Sequence, residues 1–96
     1  MASSQFNVVK NNLEGTVYRG DLNNVTTGGV YSVTTSEVTN YPPSIALTAT
    51  GNLMVINTPA AIHQLLLIGN TVIHMRRYIP GYGWSVWAQT TLTPET

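Results

Sequence analysis

A chain of 96 residues with no cysteine, 8% charged residues and a net charge of zero rules out several classes at once. It holds no disulfide and no thiolate metal centre, and its basic residues, Lys10, Arg19, Arg76 and Arg77, are too few and too scattered to neutralise a phosphate backbone. With 43% hydrophobic residues it is not a disordered chain, and its longest apolar run, residues 65–69, falls far short of the ~20 that a membrane helix needs.

No stretch repeats its apolar residues every 3.6 positions, and Thr, Val, Ile, Asn and Gly dominate, so strands and turns are expected throughout. The opening MASSQFNVVKNN has no apolar h-region and does not read as a signal peptide. Residues 1–17 read as an extended arm. Asp21 reads as a cap: its carboxylate can accept backbone N–H groups two or three residues on, over a short helical turn at 21–25. Gly28 and Gly29 then turn the chain into a strand at 29–34, GVYSVT. There Val30 and Ser32 lie on one face, Tyr31 and Val33 on the other.

The stretch NYPP, residues 40–43, is a loop, because neither proline can donate to a ladder. Residues 52–57, NLMVIN, read as a central strand. Two further strands, IHQLLLI at 62–68 and TVIHMRRYI at 71–79, flank Gly69-Asn70, a two-residue hairpin signal. Pro80-Gly81-Tyr82-Gly83 is a second tight connection, and WSVWAQTT at 84–91 is the last strand. The expected fold is all-β: a small antiparallel meander sheet or sandwich knob over 18–92, with an N-terminal arm at 1–17 and a tail at 93–96.

Both tryptophans lie in the last strand, three positions apart. A regular strand turns residues three apart to opposite faces. Trp84 is then expected over the core, and Trp87 at a rim or a seam between copies. A bulge at Ser85-Val86 would instead bring both to one side. An alternative use is a sugar platform, with Trp87, Tyr82 and Tyr78 offering ring faces and Arg77 an anion or hydroxyl contact. Arg76 and Arg77 point to opposite faces, and one of them packs over a ring such as Trp84.

A two-residue turn at Gly69-Asn70 sets His74 opposite Leu65 and His63 opposite Arg76, which puts both histidines on one face. No nearby carboxylate completes a metal site with them, so no metal and no cofactor is expected. Catalysis finds no support either. There is no G-x-S-x-G elbow and no paired carboxylates, and nothing in the spacing of Ser32, His63 and Asp21 recommends them as a triad. The sequon Asn24-Val25-Thr26 is read as chance.

Taken together, DLNNVTTGGVYSV, NLMVIN and HQLLLIGNTVIHMRRYIPGYGWSVWAQ resemble the knob domain of pyocin and bacteriophage tail fibres. That family has an Asp-Leu-Asn turn before a Thr-x-Gly-x-Tyr strand, and a meander that closes with Gly-x-x-Trp-Ser-x-Trp. The matching residues are Asp21, Leu22, Asn23, Thr27, Gly29, Tyr31, Gly81, Trp84, Ser85 and Trp87, within about 18–90. The resemblance implies an all-β homotrimeric module of a virion fibre, and not an enzyme. Its partners would be copies of itself, other tail or capsid proteins, and a host surface glycan, with no nucleic acid and no membrane insertion. It also implies that Asp21, Tyr31, Trp84 and Trp87 are structural anchors. As a head fibre or capsid decoration protein, the chain would dock through residues 1–13; as the end of a longer fibre, it would be the tip. A freestanding carbohydrate-binding module is the remaining alternative.

Overall fold

The computed structural model describes residues 16–95. Among these residues nine strands run β1 (Thr16–Val17), β2 (Gly20–Asp21), β3 (Gly29–Thr34), β4 (Val38–Thr39), β5 (Thr50–Asn57), β6 (Ile62–Leu67), β7 (Val72–Ile79), β8 (Gly83–Trp84) and β9 (Ala88–Thr91). The protein is all-β. Its main sheet has the order β1-β3-β5-β6-β7, and both β8 and β9 pair with β7. Strands β3, β5, β6 and β7 form the antiparallel meander. The sheet as a whole is mixed, because β1 joins β3 in parallel, and β2 and β4 make a small parallel pair of their own. Thr16 and Val17, expected at the end of the arm at 1–17, thus belong to the sheet; its docking segment, residues 1–13, lies outside the described residues.

The turn at Gly69-Asn70 is not the two-residue hairpin. Leu67 pairs with Ile73, so the connection is centred on Asn70 and holds an odd number of residues. The register slips by one position, and a slip of one turns every side chain of a strand to the other face relative to its partner. His63 therefore pairs with Arg77, and His74 with Leu66, which puts the histidines on opposite faces. The second connection forms as expected. Tyr82 N donates to Ile79 O at 2.9 Å, with Pro80 second in the turn and Gly81 third at φ 87°. A type II turn needs that positive φ.

The core lies on one face of the sheet. Val33, Leu53, Val55 and Leu66 are buried there, and Leu22, Val25 and Val38 from the connecting segments close over them. Each fully buried Leu or Val contributes about 1.5–3 kcal/mol. The cover begins at a 3-10 turn, Leu22–Asn24, capped by Asp21, whose side chain accepts from Asn23 N. Tyr18, Tyr31, Tyr41, Ile45, Ile62, Ile68 and Trp87 pack around this cluster. At Gly51 the backbone of β5 runs against the end of β6, and a Cβ there would collide with the Leu67 carbonyl. Among the described residues nothing packs over the opposite face of the sheet, where Met54, Ile56, Leu67 and Met75 are exposed.

Candidate functional site

The last ribbon is not one strand. Trp84 pairs with Tyr78, and Ala88 pairs with Met75. Three residues, Ser85, Val86 and Trp87, therefore oppose two, Arg77 and Arg76. The extra residue is a bulge. It is held by Ser85 N donating to Arg77 O at 2.8 Å and by Arg77 N donating to Ser85 Oγ at 3.0 Å. One inserted residue reverses the alternation, so Trp84 and Trp87 come to the same face, on the side of Arg76. The expectation of opposite faces fails for that reason. It is also Trp87, not Trp84, that packs against the buried cluster.

Arg76 fills the space between the two indoles. Its guanidinium carbon lies 4.1 Å from the Trp84 ring centroid and 4.6 Å from that of Trp87. Both contacts are within cation–π range. Its Nε donates to Gln64 Oε1 at 2.9 Å. Gln64 in turn donates from Nε2 to Leu22 O at 2.7 Å and to Val25 O at 3.0 Å. Gln64 and Arg76 are 0% and 6% exposed, so this chain of bonds runs through the interior. It ties the sheet to the turn that covers it. Burial pushes the Arg76 guanidinium down to about 10, against the opposing pull of the Asp21 charge; it remains a cation at neutral pH.

A second branch closes the circuit at the rim. Asp21 Oδ1 accepts from Asn40 Nδ2 at 2.7 Å and from Asn23 N at 2.8 Å. The Asn40 bond, ahead of the Asn23 bond, holds the Asp21 carboxyl below the usual carboxylate range. Trp87 Nε1 donates to Asn40 O at 2.8 Å. Asn40 takes φ 63°, a left-handed conformation that asparagine tolerates better than most residues. Tyr18 OH donates to Asp21 O at 2.8 Å and meets Tyr31 edge-on, 6.3 Å between centroids. Tyr31 OH reaches Thr27 O at 2.6 Å.

The four residues expected of a sugar platform are not gathered in one place. Tyr82, 89% exposed, shares an open cleft of about 390 Å³ with Arg77 and Trp84. Trp87 lines a different cleft of about 280 Å³ with Tyr41, Val86 and Arg76. Tyr78 packs edge-on against Trp84, 5.5 Å between centroids. His74 is buried, and its pKa is lowered by that burial. Among the described residues no three of His, Cys, Asp and Glu gather in a way that could hold a metal. Sequence reasoning missed Gln64 and Asn40. Gln64 had a signal, being the one amide inside IHQLLL, at the parity of the core-facing leucine.

No protein-family model matches this chain, and no curated protein or solved structure does so either.

Proposed function

We propose that this chain is a structural knob module of a bacteriophage fibre, which assembles as a homotrimer and presents its rim to the host surface. One observation carries the reading. The residues through which the sequence resembles tail-fibre knobs, Asp21 at one end and Trp84, Ser85 and Trp87 at the other, converge on the network around Arg76. The two indoles clamp a buried cation and brace the last ribbon. That use of tryptophan fits architecture better than catalysis or an open binding platform. Antibodies against the chain, applied to particles released from the source bacterium and viewed by electron microscopy, test the assignment. Label at fibre ends is expected. Unlabelled particles, with the chain remaining in the cell, overturn it. Label on the capsid would move the chain to the head-fibre or decoration alternative, whose docking residues 1–13 lie outside the described residues.

A glycan contact at the rim has one observation in its favour. Tyr82 stands almost fully in solvent beside Arg77 and Trp84 in the larger cleft, so a ring face and a donor-rich cation adjoin. A sugar ring would stack on Tyr82 while Arg77 donates to its hydroxyls. Glycan-array binding that vanishes in Tyr82→Ala, with an unchanged unfolding midpoint, is the expected result. Binding retained by that variant ends the reading.

A further inference from the structure

We infer that the open face of the main sheet is the surface on which copies of this chain pack against one another. The inference deepens the assembly reading above and rests on it for the partner. Its foundation is a row of side chains read straight across five strands. Val30 pairs with Met54, Met54 with Leu65, Leu65 with Met75 and Met75 with Ala88. Paired residues share a face, so all five project from the side opposite the core. The rows on either side are mixed. One holds Ser32, Asn52, Leu67, Ile73 and Thr90; the other holds Ile56, His63 and Arg77. An apolar centre between more polar margins is the anatomy of an interface.

In this row Met54 and Met75 are 39% and 45% exposed, Ala88 is exposed, and Val30 and Leu65 are half-buried; Ile56 and Leu67 of the flanking rows are 46% and 39% exposed. Five strands at about 4.8 Å spacing and three rows of side chains give a footprint of roughly 450 Å². The apolar row fills about a third of it, and the footprint as a whole matches the largest patch on a typical monomer, ~300–600 Å², which is often functional. Two such faces cover roughly 900 Å², below the ~1,200 Å² of a stable specific interface and in the range of weak association.

Charge selects the occupant. Among the described residues the face carries one formal charge, Arg77, and it lies off the apolar row. A nucleic acid, an acidic protein or an anionic lipid surface would find no field to meet. An identical face brings no like charges together at its centre. The dimensions also suit three copies. Three sheets about 19 Å wide, closed into a triangular prism, stand about 6 Å from the axis, close to half the ~10 Å between packed sheets. Leu65, on the middle strand of the five, would then lie nearest the axis.

The test uses the full chain at micromolar concentration in light scattering and sedimentation velocity, beside Met54→Lys, Met75→Lys and, as a control at the far rim, Tyr82→Ala. The wild type and the control are expected to assemble. Each lysine variant is expected to raise the dissociation constant at least tenfold, to ~10× or more, with its circular dichroism and melting temperature as a dilute chain unchanged. A monomeric wild type overturns the inference. So do lysine variants that assemble normally, which would leave the trimer standing on some other surface. A dimer broken by the lysines keeps the interface and ends the threefold reading. If the full chain is monomeric and a chain lacking residues 1–15 assembles, the face is covered from within, and the inference falls.

Discussion

Gln64 and Arg76 face each other across β6 and β7, and a 2.9 Å bond joins their side chains beneath the two indoles. The pair is the point where sheet, cover and last ribbon meet. Arg76→Met keeps the stem and removes the cation. Gln64 Oε1 loses its donor, and both rings lose their partner. The expected loss is about 2–4 kcal/mol, summing a charged hydrogen bond and a desolvated cation–π contact. Arg76→Lys should restore little of it, because an ammonium cannot reproduce the planar fork. Urea unfolding measures both. A change below about 0.5 kcal/mol in Arg76→Met, the scale of an ordinary surface substitution, would mean that the stack is incidental.

Trp87→Phe retains a ring but loses the Nε1–H that reaches Asn40 O. The expected destabilisation is about 1–2 kcal/mol. Its effect should not add to that of Arg76→Met. The two touch, so a coupling of at least about 0.5 kcal/mol is expected in a double-mutant cycle. Strict additivity would place Trp87 outside the network.

Gly51→Ala tests the close approach of β5 and β6. The new methyl meets a backbone carbonyl and the Ile68 side chain, and backbone cannot yield as a side chain does. The strands must part, at a cost of about 1–3 kcal/mol or more. A thermal melt that matches the wild type would show that β5 and β6 part there at no cost.

Stability should fall on acidification in two steps. His74 has a pKa lowered by burial from the ordinary value of 6.5. Above that value neither state is protonated. As pH falls below it, the unfolded chain gains a proton that the native chain refuses, so stability declines until the lowered native pKa is passed. Asp21 also has a lowered pKa, with Asn40 as the main cause. Its contribution is complete above the ordinary 3.8 and is lost as pH falls through the native value. Melting temperature against pH should show both limbs. His74→Gln removes the upper one and Asp21→Asn the lower. An upper limb that survives in His74→Gln would assign it elsewhere.

The strands themselves were legible because β-branched and apolar residues alternate between turn residues. The stretch GVYSVT is β3 to the residue, and the Pro80-Gly81 turn declares its own geometry. Asp21 was legible as a cap for the same local reason. What failed was counting across a gap. Gly69-Asn70 looks like a two-residue turn, but the loop takes an odd count, and nothing local announces it. His63 and His74 separated as a result. The two-residue strands β1, β2, β4 and β8 carry too few residues for any period. The stack around Arg76 was half visible: an arginine over a tryptophan was expected, but its second ring required the bulge. Its anchors, Gln64 and the Asn40 carbonyl, come from segments 12 and 36 positions away, and only the assembled sheet brings them together.

Val86 is 87% exposed, and its side chain does little. The ribbon carries one residue more than its partner strand, so this position should accept almost any side chain. Remove that single unit and Trp84, Ser85, Trp87 and Ala88 fall opposite Tyr78, Arg77, Arg76 and Met75 in unbroken register, with both indoles still on the side of Arg76. What is specified there is the face each ring takes, not the length of the ribbon.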